Sequence, residues 1–167
     1  MYSDSTMSEQ KYFEKRGNIY TIYDSREMPV ECNFVQDKIS KSNQGVIRGF
    51  HGDNKTWKLI SCLQGLVKLV TYNIDTNEKR VYLLDGDSHE ATSVLVPPRT
   101  LNAHQCLSQN CIFHYKWSEF YTAPDEQWSV HYNDLDISPQ WQKGLHAIIS
   151  DRDMNSQSLR ELQKNVK

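Results

Sequence analysis

Apolar and polar residues alternate over short segments along most of the chain, and polar turns separate the segments. The segments are rich in β-branched and aromatic residues, which favour strands. Gln64 and Gly65 alone separate two of them, a spacing typical of a tight hairpin. Frequent short strands predict an antiparallel sandwich or barrel. The expected strands lie at 18–23, 32–36, 46–50, 56–63, 66–74, 79–84, 92–98, 102–107, 110–117 and 128–133.

Both ends of the chain depart from this pattern. Residues 1–11 are polar and are predicted to be disordered. In the tail, Leu159 and Leu162 are three residues apart on a polar segment, which predicts a short helix over 156–164. A chain of 167 residues suffices for one domain with a core. We therefore expect a single all-β domain over 12–167, a cupin-type double-sheet jelly roll with a short C-terminal helix.

The net charge is −2 and the two signs are interspersed, so neither nucleic acid nor an anionic membrane is an expected partner. No apolar run reaches the roughly 18 residues of a membrane span, and the N-terminus has no secretory pattern, which predicts a cytoplasmic protein. Cys32, Cys62, Cys106 and Cys111 form no C-x-x-C pair. Buried free thiols are therefore expected, and a zinc site is not.

Residues 36–59 hold the candidate chemistry. His51 lies between Gly49 and Gly52, follows Arg48 closely and precedes Lys58. Such a histidine is either a base in a pocket for an anionic ligand or a surface residue in a turn, and spacing alone does not decide.

Many cupins hold a metal through a His-x-His pair at the barrel mouth. Here the matching positions are His51, Gly52 and Asp53, and a second histidine, His104, follows a proline-containing turn. Transition-metal sites of this type normally need at least three protein ligands, so we predict that the barrel binds no metal.

Several motifs, in order, resemble the nucleotide-diphospho-4-keto-6-deoxysugar 3,5-epimerases, the family of dTDP-4-dehydrorhamnose 3,5-epimerase. The similarity runs from about Glu14 to Asp153. Its motifs are EKRGNIYTIY at 14–23, FVQDKISKSNQGVIRGFH at 34–51, WKLI at 57–60, VPPRTLNAH at 96–104, IFHYKWSEFYTAPDE at 112–126, WSVHYNDLDISPQW at 128–141 and ISDRD at 149–153.

This resemblance implies four catalytic roles. His51 would be the base, Asp153 would orient it, Tyr115 would be the acid on the opposite face of the sugar, and Lys58 would stabilise the enolate oxygen. Without the resemblance, Tyr115 would be interpreted as a packed strand aromatic and Asp153 as an exposed carboxylate.

The resemblance also implies the substrate-binding residues. His104 matches a second active-site histidine, and Arg16 and Arg48 match arginines that hold the diphosphate; the remaining expected contacts are Gln36, Lys38 and Asp53. The chemistry needs no cofactor, because a C4 ketone already acidifies the hydrogens on C3 and C5.

Three differences separate this chain from the dTDP-sugar enzymes of the family. Gly52-Asp53 follows the histidine where an aromatic and Gln are usual, Thr21 replaces an acidic residue, and Lys38 replaces Asn. These departures predict a remodelled pocket at its base and sugar ends. The phrases HGDNKTWKLISC at 51–62, VPPRTLNAH at 96–104 and ISDRD at 149–153 resemble more closely the branch that acts on GDP-linked 4-keto-6-deoxyheptoses for bacterial capsules and lipopolysaccharide. The alternatives are a dTDP-4-dehydrorhamnose 3,5-epimerase, a 3,4-ketoisomerase, a single-centre epimerase and a barrel that binds nucleotide sugars without turning them over.

The family resemblance further implies a homodimer with an exchanged first strand. An exposed NIYTIY edge at 18–23 would otherwise be prone to pairing with other chains. In such a dimer, Arg16 would serve the active site of the partner subunit.

Overall fold

Two five-stranded antiparallel sheets dominate the structure, a computed structural model that describes residues 2–30 and 32–166. The first sheet has the order β1-β9-β6-β11-β4, and the second has the order β12-β5-β10-β7-β8. This is the expected double-sheet jelly roll. The strands are β1 (Ser5–Gln10), β2 (Tyr12–Glu14), β3 (Gly17–Ile19), β4 (Gln36–Asn43), β5 (Ile47–Gly52), β6 (Lys58–Gln64), β7 (Leu66–Asn73), β8 (Lys79–Asp85), β9 (Glu90–Val96), β10 (Thr100–Cys106), β11 (Asn110–Trp117) and β12 (Trp128–Ser129).

The hydrophobic core has two parts. Between the sheets, inward-facing side chains from β6, β7, β9 and β11, such as Leu69 and Phe113, are fully buried. Phe50, Leu101 and Leu162 belong to the second part, which includes the C-terminal helix. Because alternate strand residues face opposite ways, neighbouring residues of β7 in the second sheet serve different parts: Leu69 packs in the first and Val70 in the second.

The N-terminus corrects one expectation. Residues 1–11 were expected to be disordered, but Ser5–Gln10 form β1 and pair with β9 along their whole length. Asp4, just before the strand, is buried and accepts hydrogen bonds from Thr71 and Tyr82. An edge strand with one face in solvent tolerates polar side chains, which explains why apolar content failed to reveal it. Met1 lies outside the described residues.

Other element boundaries also differ from the prediction. The segment 18–23 is strand only at its first two residues, which end the β2-β3 hairpin, and 128–133 is strand only at Trp128–Ser129. Gln36 is the one residue of 32–36 in a strand; it begins β4, whose polar sequence QDKISKSN did not signal the strand.

The expected C-terminal helix is present as α2 (Leu159–Asn165), and a single turn, α1 (Asp151–Met154), precedes it. Ser158 and Glu161 form a reciprocal capping box that fixes the start of α2. Leu159 and Leu162 are buried, as their spacing predicted. No helix within 2–30 and 32–166 is long and apolar enough to cross a membrane.

Candidate active site

A cavity of about 520 Å³ opens between the sheets beside β4, β5, β6, β10 and β11. It brings together seven of the predicted site residues: Lys38, Arg48, His51, Lys58, His104, Tyr115 and Asp153. A second cavity, of about 570 Å³, lies next to β1 and β9 and includes none of them.

A bulge in β5 places two of these residues on the same face. His51 pairs with Asn102 and Arg48 pairs with His104, so three steps along β5 match two along β10. In a regular strand, residues three apart would face opposite sides. Gly49 permits the bulge, because its φ is 112° and an added Cβ would lie 2.5 Å from the carbonyl oxygen of Asn102.

His51 and Asp153 form the central pair of the site. Nε2 of His51 lies 2.7 Å from Oδ1 of Asp153, and the backbone N–H of Gly49 donates to Oδ2 at 3.1 Å. Burial alone would raise the pKa of Asp153, but the bonds from His51 and Gly49 outweigh it and the pKa is lowered. An ionised carboxylate only accepts, so Nε2 carries the hydrogen and Nδ1 keeps the lone pair of a base.

Helix α1 holds the carboxylate in place. Ser150 caps the helix by accepting a hydrogen bond from the backbone N–H of Asp153 at 3.2 Å. Asp153 is only 3% exposed, although it lies in a polar segment of the sequence. An exposed carboxylate, expected from the sequence without the resemblance, is therefore wrong, and the structure places Asp153 in hydrogen-bond contact with His51.

Tyr115 contributes a phenol to the cavity from β11. Burial raises its pKa to about 12, and the Arg48 charge only partly opposes this. The phenol therefore remains protonated throughout the neutral range and is able to act as an acid.

Lys58 contributes a buried ammonium group. It is 3% exposed, and no hydrogen bond or ion pair to its Nζ occurs among the described residues. Burial lowers its pKa to about 8; Asp53 opposes that shift and Lys38 adds to it. A desolvated ammonium without a protein acceptor is suited to a negative charge that develops on a ligand.

His104 is neutral across the physiological pH range. Its ring stacks on Phe113 with 3.8 Å between centroids, and it is 2% exposed. Burial lowers its pKa to about 3, helped by the nearby Arg48 and His51 charges. Its buried Nε2 has no hydrogen-bond partner among the described residues, so it remains available to a ligand.

Two arginines add positive charge to the wall of the cavity. Arg48 donates from Nε to the hydroxyl of Ser42 at 3.1 Å. Arg152, which the sequence analysis did not single out, donates to the carbonyl of Pro124 at 2.6 Å. Its position next to Asp153 in the ISDRD motif was the available signal. The cavity therefore suits an anionic ligand such as a diphosphate.

Three expected substrate contacts are absent from the lining of the cavity. Gln36 accepts a hydrogen bond from the backbone of Tyr121 at 2.9 Å and so supports the wall. The Asp53 carboxylate accepts the backbone N–H groups of Lys55 and Thr56, at 3.0 and 2.6 Å, and acts on Lys58 only through its charge. Both residues support the site from behind, because the amide oxygen of Gln36 and both carboxylate oxygens of Asp53 already accept hydrogen bonds within the protein.

Arg16, the third of these residues, lies on the β2-β3 hairpin. Its side chain pairs with Glu14 and remains 85% exposed. Within one chain, it does not contribute to the cavity.

Sequence reasoning also missed part of the lining, which includes Asn102, Trp117, Tyr121, Gln127 and Arg152. Lys38 lies over the ring of Tyr121, with Nζ 3.5 Å from the centroid. The aromatic residues of the 112–126 motif were a signal, but single strand aromatics are usually core residues.

In the described part of the chain, no cluster of three His, Cys, Asp or Glu side chains has a metal-binding arrangement. All four cysteines are free; Cys62, Cys106 and Cys111 are buried and Cys32 is half-buried.

A jelly-roll cavity with groups that can take a proton, return one and stabilise negative charge defines a site for acid-base chemistry on an anionic ligand. Comparison with known proteins identifies the family. The sequence model of dTDP-4-dehydrorhamnose 3,5-epimerase matches residues 3–161. The chain belongs to this family of nucleotide-sugar epimerases.

Individual relatives agree with the family assignment. The dTDP-4-dehydrorhamnose 3,5-epimerase of Methanothermobacter thermautotrophicus is 29% identical over 163 residues, which cover 90% of this chain and 86% of the relative. The Escherichia coli K12 enzyme of the same name is 29% identical over 138 residues, covering 78% and 73%.

Solved structures share the fold. The dTDP-6-deoxy-D-glucose-3,5-epimerase of Legionella pneumophila, in complex with dTDP-4-keto-L-rhamnose, superposes with a TM-score of 0.85 at 25% identity, covering 94% of this chain and 88% of that one. The Bacillus anthracis dTDP-4-dehydrorhamnose 3,5-epimerase, with TDP and pyrophosphate bound, gives 0.83 at 27% identity, with 93% of each chain covered.

Proposed function

We propose that the protein inverts C3 and C5 of a dTDP-linked 4-keto-6-deoxysugar. The observation that carries this proposal is the buried, unpartnered Lys58 ammonium in a cavity shared with the His51–Asp153 pair and Tyr115. The relatives above are named for dTDP-sugars, which favours the dTDP alternative over the GDP-linked heptose that the sequence departures suggested.

Each inversion proceeds through an enolate. Nδ1 of His51 removes the hydrogen from the carbon next to the ketone, and the C–H electron pair moves to the C4 oxygen. Lys58 stabilises the oxygen anion, and Asp153 stabilises the imidazolium. Tyr115 then donates its hydroxyl proton to the opposite face of the carbon, while the electron pair returns from oxygen to form the ketone. The phenolate and imidazolium exchange protons with solvent to reset the site.

The diphosphate would bind to cationic groups at the cavity. Arg48 and Arg152 line it, and the neutral His104 offers a hydrogen bond to the sugar. Lys38 adds an ammonium group beside Lys58, at the sugar end of the cavity, because both Nζ atoms lie over the ring of Trp117. Gln36 holds the wall in place, and Asp53 acts through its charge on Lys58.

We further propose a homodimer in which the β2-β3 hairpin crosses to the partner and Arg16 binds the diphosphate there. Tyr12 and Ile19 on this hairpin are 66% and 71% exposed in the isolated chain, a large apolar area for a surface hairpin.

Co-expression of Arg16→Ala with His51→Asn chains tests this arrangement. If Arg16 serves the partner, the mixed dimer has one complete site and regains activity that neither variant has alone. Lack of any recovery in a confirmed mixed dimer, or a monomeric solution mass, would contradict the arrangement.

Hydrogen exchange in D₂O tests the reaction. The protein is incubated with dTDP- and GDP-linked 4-keto-6-deoxysugars, and C3 and C5 are followed by proton NMR with mass spectrometry. We expect two deuterons from the dTDP series and none with His51→Asn. Exchange at one carbon would indicate a single-centre epimerase, a displaced ketone would indicate a 3,4-ketoisomerase, and binding without exchange would indicate a non-catalytic barrel.

A further inference from the structure

Three hydrogen-bond donors meet at the end of the cavity where β4, β6 and β11 begin or end. The Nζ atoms of Lys38 and Lys58 lie 5.0 and 4.9 Å from the ring centroid of Trp117. All three side chains line the cavity. The two ammonium groups repel each other, and the contact of each with the indole ring offsets part of that cost.

Trp117 has an unused donor. The residue is 6% exposed, and its buried indole Nε1 has no hydrogen-bond partner among the described residues. A buried donor without an acceptor costs about 1–3 kcal/mol. Since phenylalanine would fill similar space without that cost, the donor is better explained by an acceptor on a ligand.

Lys38 is also without an acceptor. Its ammonium lies 3.5 Å from the centroid of Tyr121, and no hydrogen bond or ion pair to it occurs in the described part of the chain. Asp53, the carboxylate whose charge acts on Lys58, is occupied by the backbone of Lys55 and Thr56 and by the side-chain amide of Gln127. This end of the cavity is therefore rich in donors and poor in acceptors.

We propose that Lys38 and Trp117 determine sugar specificity by donating hydrogen bonds to the C3 oxygen of the substrate. This inference rests on the proposed function, in which Lys58 holds the C4 oxygen. Around the ketone of a 4-keto-6-deoxysugar, C5 carries a methyl group and C3 carries a hydroxyl, so the exocyclic oxygen nearest to the C4 oxygen is that of C3. The indole N–H of Trp117 and the ammonium of Lys38, which lies over the same indole ring as Lys58, are placed to reach this C3 oxygen.

The charge of Lys38 has a second effect at the same place. It acts with burial to lower the pKa of Lys58, and Asp53 acts against both. Other titratable groups that line the cavity include Tyr115, Tyr121 and His51. Replacing Lys38 by a neutral side chain should therefore raise the pKa of Lys58 by removing a like charge.

The test compares a substrate carrying the C3 hydroxyl with its 3-deoxy analogue, by following exchange at C5, which both contain. The wild-type protein should prefer the hydroxylated sugar in kcat/KM. Trp117→Phe and Lys38→Met should each reduce this preference about tenfold, the value of one hydrogen bond to a good acceptor. Lys38→Arg should keep most of it.

Trp141→Phe is the matched control. Trp141 donates from its indole to the carbonyl of Tyr132 at 3.0 Å, outside the cavity, so its loss should lower stability and leave the preference unchanged. An unchanged preference in both Trp117→Phe and Lys38→Met would overturn the proposal.

A binding experiment separates this proposal from the proposed function. The indole N–H resonance of Trp117, assigned with Trp117→Phe, should shift downfield with the hydroxylated nucleotide sugar and not with the 3-deoxy analogue, even if no exchange occurs. Equal shifts with both ligands would contradict recognition of the C3 oxygen. Exchange that is absent in the wild type would instead refute the epimerase assignment alone.

Discussion

Asp153→Asn should leave the His51 side chain in place but prevent it from acting as the base. Asn retains one oxygen, whereas Asp153 accepts from both Nε2 of His51 and the backbone N–H of Gly49. The N–H of Gly49 is fixed in the backbone and can only donate, so it should retain the oxygen of the amide. The amide NH₂ then faces His51 and favours the tautomer with hydrogen on Nδ1, the atom that must take the proton from the sugar.

The size of the effect follows from these two losses. A hydrogen bond to a charged group contributes about 1.5–3 kcal/mol, and the wrong tautomer must be reversed before each turnover. We therefore expect kcat/KM to fall by at least about 100-fold, which corresponds to roughly 3 kcal/mol. The loss should appear in kcat, because the carboxylate contacts the base rather than the diphosphate.

Deuterium exchange at C3 and C5 measures this step directly. Asp4→Asn is the matched control, because Asp4 is another buried carboxylate, 8% exposed, which contacts Thr71 and Tyr82 and lies outside the cavity. The Asp4→Asn variant should exchange hydrogen at C3 and C5 at the wild-type rate. If Asp153→Asn folds normally and exchanges within threefold of the wild type, the assignment of Asp153 as the residue that orients His51 is wrong.

Three further predictions concern single residues. Tyr115→Phe should keep exchange on the face of the base but lower the inverted product at least about 100-fold, as NMR of the product would show; normal inversion would exclude Tyr115 as the acid. Lys58→Met should abolish exchange yet raise the free energy of unfolding. The pKa of about 8 lies below the ordinary 10.5, so the unfolded chain binds the proton more strongly and the folded state is penalised below pH 8. At pH 7 the gain should approach about 3 kcal/mol by chemical denaturation, and a clear loss of stability would contradict it. Gly49→Ala should destabilise the fold by about 2–4 kcal/mol and reduce exchange, because its Cβ would approach the backbone of Asn102 and Ala103 to within 2.5–2.8 Å; a normal melting temperature would refute this.

Strand positions were predictable where an inward apolar face is continuous. The segments that became β6, β7 and β11 carry buried apolar residues such as Leu69 and Phe113, so their apolar content reflects the core. β4 was missed because its inner face lines the cavity with Lys38 and other polar residues rather than with core residues. A strand that serves a site lacks the apolar signal by which strands are recognised.

The motifs predicted which residues belong to the candidate site, but they did not predict how those residues are arranged in space. His51 and Asp153 are 102 residues apart in sequence, and no local pattern relates them. The same holds for Arg152, whose contact with Pro124 depends on the packing of α1 against a distant segment. Asp53 shows the opposite error, because its place beside His51 suggested a ligand contact while its oxygens are held by the backbone.

Burial has opposite effects on the acid and the cation of this cavity. Because a phenol is neutral when protonated, burial raises the pKa of Tyr115 to about 12; because an ammonium is charged when protonated, burial lowers the pKa of Lys58 to about 8. Near neutral pH both groups still carry their protons, but the ammonium now loses its proton at a lower pH than the phenol. In the proposed reaction, the developing enolate would therefore meet a strong hydrogen-bond donor at oxygen and a weak acid at carbon. The high pKa of Tyr115 would keep its proton in place until negative charge has developed on the carbon, on the face opposite His51.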